Sequence, residues 1–344
     1  MTDLLPDGVY IGLPEDDYHA DPSLGGSALK GCVYDPSEFW WQSAHNPHRP
    51  ERKESDALAF GKAVHTILLE GREAFEERFY SEGFNADDHP DALDTVEDIK
   101  AVLRERSLPL SGKKADLRAR LVKDGFDGDF MDDLRDAFET TVEGKTHISE
   151  AWMHRLALFT AFREADAATS AIFSEGLPEV SVIWTEQGVR CSARFDWLRK
   201  EATWDVKTYS ARPGQTAADA VRGSVFRYRY DLQEAHYRRA RQMMKDLPIF
   251  GGTDGQKDYV EQCAQRPDAD FMFLFVKTNG APVVTRLDAA ILGDGAQYDR
   301  ARLIQALSAR IEQWGLDDPW IEPSTDLKIE FTDVPAWLGL EGAA

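Results

Sequence analysis

The sequence predicts an α/β fold in which a central mixed β-sheet is flanked by helices. Three observations predict it. Strand-like runs cluster in the middle of the chain, at about 179–186, 189–199 and 202–209. Stretches of helical periodicity lie on either side of them, at 56–79, about 148–173 and about 214–245. A strongly apolar run, DFMFLFVKT at 270–278, and a partner run at 282–288 then return to the sheet. Strands bracketed by helices indicate helical layers packed on a sheet. The chain has 344 residues, 42% of them hydrophobic, which suffices for a large core.

Taken in order, residues 8–13 (GVYIGL) read as a short strand. SLGGSALKGC, at 23–32, reads as a helix start capped by serine, and YDPSEFWW follows as a turn. In DALAFGKAVHTILLEGREAFEERF, Leu58, Val64, Ile67, Leu68 and Phe75 supply an apolar helix face, interrupted at Gly71. Residues 81–93 are acidic and polar and read as a linker. Residues 94–124 predict two short helices around the turn LPLSGKK, followed by the acidic stretch DGFDGDFMDD. A last helix is expected at about 289–314, with an irregular tail to Ala344. Three regions result: 1–90 as the N-terminal part of the main domain, 94–124 as a helical insertion, and 145–344 as the larger part.

Composition narrows the chemistry. Cys32, Cys191 and Cys263 are far apart, which argues against a zinc site, an iron–sulfur cluster or a disulfide framework. A reducing cytoplasm fits. The opening MTDLLPDGVY lacks a basic segment followed by an apolar run, so no secretory leader is expected, and no membrane span is visible. The net charge of −21 counts against nucleic-acid binding overall. The segment Arg222–Lys245 is an exception, with seven basic residues against Asp231 and Glu234. It reads either as a basic groove or as a solvated helix face.

The richest stretch is VRCSARFDWLRKEATWDVKTY, 189–209, which reads as a β-hairpin. Asp196 lies on its first arm, and Asp205 and Lys207 on its second. Alternation puts Asp205 and Lys207 on one face. Two carboxylates able to hold a hard divalent cation, beside a lysine, suit phosphodiester hydrolysis. Glu179 starts a neighbouring strand in LPEVSVIW and would complete an oxygen shell. His65, in FGKAVHTILLE, is a further candidate ligand. Gln233 and Tyr237 are i, i+4 partners in YDLQEAHYRRA.

The Asp…Asp-x-Lys arrangement resembles the core of the PD-(D/E)xK nuclease superfamily. GVYIGLPEDDYH, GGSALKGCVYDPSEFW and LAFGKAVHTILLEGREAFEERF, followed by PEVSVIW, CSARFDWL, WDVKT and LQEAHY, resemble in order the exonuclease VIII (RecE-type) phage exonucleases. The resemblance covers about 8–80 and 148–280. It departs at YDPSEFW, where the family more often has Ser-Pro. It implies a metal site of His65, Glu179, Asp196, Asp205 and the backbone carbonyl of Val206. Lys207 would position the attacking water, and Gln233 and Tyr237 would buttress the site and face DNA. The implied metal is Mg²⁺, with Mn²⁺ as a substitute.

TVEDIKAVLRERSLPLSGKKADLRARL resembles a SAP motif, a small helical DNA-binding unit. This implies phosphate contacts from Lys113, Lys114 and Arg118; on the basic-groove reading of Arg222–Lys245, Arg227, Arg229 and Arg238 would add contacts near the catalytic part. Together these resemblances imply an exonuclease that digests linear duplex DNA 5′→3′ and leaves a 3′ single strand. Its expected partners are double-stranded ends, a single-strand annealing protein and further copies of itself in a ring, a tetramer in the simplest case. Two other readings stay open: a structure-specific, Cas4-like or restriction-type endonuclease, and a silent DNA-binding scaffold. The absence of a four-cysteine cluster weighs against the Cas4-like form, and the retained acidic set weighs against the scaffold.

Overall fold

In the computed structural model, residues 4–50, 55–289, 293–322 and 324 are described. Nine strands are present among them: β1 (Gly8–Ile11), β2 (Phe79–Tyr80), β3 (Thr146–His147), β4 (Leu177–Glu186), β5 (Val189–Leu198), β6 (Ala202–Tyr209), β7 (Ile249–Gly251), β8 (Asp270–Lys277) and β9 (Val284–Asp288). Seven of them form one sheet in the order β7-β1-β4-β5-β6-β8-β9, and β2 pairs with β3 apart from it. The sheet is mixed as expected: β1–β7 and β6–β8 run parallel, while the other neighbours run antiparallel.

Each face of the sheet carries its own core. On one, Phe195, Phe271, Phe273 and Phe275 pack with Leu29, Leu232, Ala240 and Leu307, from the helices Gly26–Cys32, Tyr230–Met243 and Gly293–Trp314. On the other, Trp204, Val206, Leu274 and Val276 meet Phe60, Val64, Leu156 and Phe159 of the helices Asp56–His65 and Glu150–Ala165. The alternation of strand side chains delivers Val206 to the second core and its neighbours Asp205 and Lys207 to the opposite side.

Several helices are shorter than periodicity suggests. The stretch 56–79 is helical to His65, turns π-helical over Thr66–Glu70, and restarts at Arg72–Arg78. The π turn closes when the Gly71 N–H donates to the Thr66 carbonyl at 3.0 Å. Gly71 stands at φ 96°, a conformation only glycine adopts readily. The stretch 148–173 breaks at Asp166, which caps a second helix by accepting the Thr169 N–H. The block 214–245 breaks at Tyr228–Arg229, between Ala217–Arg227 and Tyr230–Met243. The serine cap expected near residue 23 is not formed: Gly25 is the N-cap of Gly26–Cys32, with no side-chain bond. Gly26 has a packing reason. A Cβ there would stand 3.2 Å from the Tyr237 ring and 3.4 Å from Gln233, so glycine lets the two helices approach closely.

Residues 94–124 form two helices, Val96–Glu105 and Lys114–Lys123, as expected. Thr95 and Asp98 make a reciprocal capping box at the first. Leu93, Ile99, Leu103, Leu117, Leu121 and Phe130 give this unit a small core separate from the main ones. The acidic stretch after it leads into a further helix, Met131–Val142. The expected tail beyond residue 324 lies outside the described residues. No described helix is long and apolar enough to cross a membrane.

A separate core implies local stability. Leu103→Ala should cost about 2–5 kcal/mol within the 93–130 unit, the usual range for such a cavity. Hydrogen exchange should show faster opening of residues 93–130 with β4–β6 unchanged. Uniform loss of protection across the sheet would contradict this.

Candidate active site

The site forms where β5 and β6 part. Their ladder contains only Trp197↔Trp204 and Leu198↔Thr203. Beyond these pairs β6 follows β8, with which it is in register from Ala202↔Asp270 to Tyr209↔Lys277. The hairpin is therefore a short neck rather than a full two-stranded ribbon. Continued in the same register, Asp196 falls opposite Asp205. In place of a ladder bond, Asp196 Oδ2 accepts the Val206 N–H at 2.6 Å. One strand over, Glu179 falls opposite Asp196, between the pairs Pro178↔Trp197 and Val180↔Phe195. Three carboxylates thus cross three adjacent strands in one row.

The row coincides with a local distortion. Glu179 has φ 52°, in the left-handed region that non-glycine residues rarely occupy. Such a conformation costs about 1–3 kcal/mol and concentrates at functional sites. Alternation also slips here. Phe195 and Leu198 belong to one core and Trp197 to the other, whereas strict alternation would group Phe195 with Trp197.

His65 ends its helix against this row. Its Nε2 is 2.9 Å from the Val206 carbonyl, which can only accept, so Nε2 carries the proton. Nδ1 is then a lone pair, and it faces Asp196 Oδ2 at 3.6 Å. Two acceptors facing each other need a proton or a cation between them. Ligand atoms of His65, Glu179 and Asp196 lie within 4.8 Å of one another. An oxygen-rich set with one imidazole and no thiol fits a hard divalent cation.

The electrostatics agree. Burial, reinforced by Asp205, pushes the Asp196 carboxyl up to about 8. Burial and the charge of Asp196 push Glu179 up to about 7, although Arg194 pairs with it. Burial also lowers His65. Lys207 is held above the usual lysine value: burial opposes its charge, but Asp205 and Asp196 outweigh that. Its ammonium sits directly on Asp205, and Gln233 Nε2 donates to the other Asp205 oxygen at 2.7 Å.

Of the expected metal set, His65, Glu179 and Asp196 come together directly. Asp205 and the Val206 carbonyl are adjacent but engaged, the former by Lys207 and Gln233, the latter by His65. Gln233 buttresses the site as expected. Tyr237 is buried, packed edge-on against Phe195 and Phe271, and its hydroxyl meets Gln233 beside the row. The segment Arg222–Lys245 is not a free basic groove. Arg238 pairs with Glu234, Arg239 with Glu186, and Arg229 with Asp231 and Asp299, while Arg241 is buried on backbone carbonyls. Helix packing needed these cations as internal partners. Arg227 remains exposed. In the helical insertion, Lys114 pairs with Asp132, and Arg118 with Asp132 and Asp133. Lys113 is exposed at the helix start.

Two residues near the row escaped the sequence reading. Arg194 lies two positions before Asp196 in CSARFDWL, so strand alternation could have identified it. Lys30 could not be found that way. Its Nζ is 3.3 Å from Gln233 Oε1 and 4.9 Å from the Tyr230 ring centre, a contact between elements 203 residues apart. Burial, and then the charge of Lys207, pulls Lys30 down to about 8.

These shifts have a testable sign. The folded state keeps protons on Glu179 and Asp196 that an unfolded chain releases from about pH 4 upward. Their contribution to stability therefore falls as pH rises from that point through about 8. A divalent cation replaces those protons. The rise in Tm on adding Mg²⁺ or Mn²⁺ should be larger at pH 8.5 than at pH 6 and small in Asp196→Asn. An equal rise at both pH values would refute the linkage.

A family model described as a PDDEXK-like domain of unknown function (DUF3799) matches residues 36–249, more than half of the chain. No curated protein matches. Among solved structures, a "Putative exonuclease" from Eubacterium rectale is similar at 13% identity and a TM-score of 0.47, covering 97% of this chain and 100% of its own. That likeness is too distant to bear on function. The family match spans His65, the carboxylate row, Lys207 and the Gln233 helix, and the chain accordingly belongs to the PDDEXK-like family, whose fold is that of the PD-(D/E)xK nucleases.

Proposed function

We propose that this protein is a metal-dependent exodeoxyribonuclease acting on linear double-stranded DNA. The observation that carries the reading is the row Glu179, Asp196 and Asp205, with Lys207 on its last member and His65 beside its middle one. In this reading His65, Glu179 and Asp196 hold the cation, with Asp205 and the Val206 carbonyl as further ligands. A bound Mg²⁺, for which Mn²⁺ can substitute, would lower the pKa of a water and neutralise a phosphate oxygen. Lys207 supplies a fixed positive charge that orients the attacking water and stabilises charge developing on the phosphate. Gln233 fixes the Asp205 carboxylate, and Arg194 fixes Glu179.

The order of motifs along the chain supports a RecE-type exonuclease that digests 5′→3′ and leaves a 3′ single strand for an annealing partner. The same likeness supports a ring of identical subunits. The helical insertion would grip duplex as a SAP-like unit, with Lys113 at the N-terminus of its second helix. There, Lys114 and Arg118 would exchange Asp132 and Asp133 for DNA phosphates.

End-labelled linear duplex and a closed circle, incubated with Mg²⁺ and then with EDTA, test the activity. Metal-dependent loss of the linear DNA alone is expected, with the 5′ label released first. Lys207→Ala should lower the rate at least about a hundredfold, the scale of losing one charge-stabilising group. Cutting of the circle would make the protein an endonuclease instead.

The insertion is tested separately. Lys113→Glu should weaken duplex binding at all sequences and reduce the dependence of log affinity on log salt by about one. An unchanged affinity and salt slope would remove the phosphate-gripping role.

A further inference from the structure

The break between the helices Ala217–Arg227 and Tyr230–Met243 carries large aromatic rings in solvent. Phe226 is 70% exposed and Tyr228 51% exposed. Tyr34, 79% exposed, joins the same place: Arg229 donates to its hydroxyl oxygen at 2.7 Å. Arg229 stands at φ 48° and is fixed by Asp231 and Asp299, so the break is a held turn. Arg227 is exposed beside it, while Arg222, further back on the helix, is paired with Asp219.

This patch is continuous with the candidate site. Tyr228 meets Tyr230 with ring centres 5.8 Å apart. Tyr230 is anchored on Phe273 and Phe275 of the sheet. Over the Tyr230 ring lie the ammonium groups of both Lys207, at 5.5 Å, and Lys30, at 4.9 Å. A line of rings therefore runs from solvent at Tyr228 to the lysine that sits on Asp205, with Phe226 exposed at the end of the preceding helix.

From this arrangement we infer that Phe226, Tyr228 and Tyr34 form a stacking platform for the unpaired bases of a DNA strand end entering the site. The inference rests on the nuclease reading. Three features select this occupant. Every base has a π-face that stacks on an aromatic ring without regard to sequence. The exposed Arg227, next to Tyr228 in the chain, suits an adjoining phosphate. Among the described residues, the inner end of the line is the one place where a lysine, a carboxylate row and a candidate metal set meet. Opening the terminal base pairs would let one strand reach the row, and stacking would offset part of the cost of separating them.

The test uses the full chain in EDTA with a fluorescent duplex bearing a single-stranded tail, 2-aminopurine being placed in that tail. Phe226→Ala with Tyr228→Ala should weaken binding about tenfold or more and abolish quenching of the 2-aminopurine. Tyr228→Phe should keep both. Phe226→Leu with Tyr228→Leu retains apolar bulk without stacking, so it should behave like the alanine pair even if that pair folds poorly. Wild-type affinity and quenching in the leucine pair would overturn the platform. Unchanged DNA binding with an altered oligomeric state would overturn it too, assigning the rings to a contact between copies. In either case wild-type cleavage of linear duplex in Mg²⁺ would leave the nuclease reading intact. A wild-type protein that neither binds nor cleaves DNA would refute both.

Discussion

The structure depends on keeping several carboxylates close together away from water. Glu179, Asp196 and Asp205 occupy neighbouring strands, and an isolated buried carboxylate is costly. The chain meets that cost with a specific partner for each. Arg194 answers Glu179, the Val206 N–H answers Asp196, and Lys207 and Gln233 answer Asp205. Compensation is incomplete, which is why Glu179 and Asp196 hold protons well above the usual carboxylate range. A site left short of positive charge in this way is one that a divalent cation completes.

The remaining architecture places these groups. β6 leaves β5 after a two-pair neck and runs parallel to β8, opening a wedge of sheet in which Asp196 replaces a ladder bond. The left-handed turn at Glu179 brings the third carboxylate into line. From one face the helix Asp56–His65 delivers an imidazole. From the other, the helix Tyr230–Met243 delivers Gln233, and Gly26 permits its close approach to the helix that carries Lys30. That same helix is tied down by a buried network: Arg300 donates to His236 and pairs with Glu186, and His236 in turn meets the carbonyls of Leu24 and Ser192. Site geometry and core packing are thus set by the same contacts.

Charge behaves differently in sequence and in space. A run of basic residues between Arg222 and Lys245 resembles a groove when read linearly. Folding spends most of it on internal partners, including Glu186 on a distant strand and Asp299 on the helix Gly293–Trp314. The helical insertion shows the same pattern, since Asp132 and Asp133 answer Lys114 and Arg118. Charges paired in this way are available to phosphate only by exchange, so positive charge counted along the chain overstates a binding surface.

Much of the fold and of the site was legible without coordinates, because it depends on short-range rules. Strand-like runs located β4, β5 and β6, a strongly apolar run located β8, and period-3.6 patterning located the helices that cover them. Period-two alternation put Asp205 and Lys207 on one face, and motif order pointed to His65, Glu179, Asp196 and Gln233. Helix breaks at Asp166 and Arg229 were not legible, since apolar periodicity continues across them while caps and a left-handed residue decide where each helix ends. Tertiary structure alone determined that Lys30 reaches Gln233, that Tyr237 is core, and that Arg238 is spent on Glu234. Local sequence states which face a side chain takes. Which partner meets it there depends on contacts between residues as far apart as Lys30 and Gln233, 203 positions, and only packing the two cores against the sheet creates them.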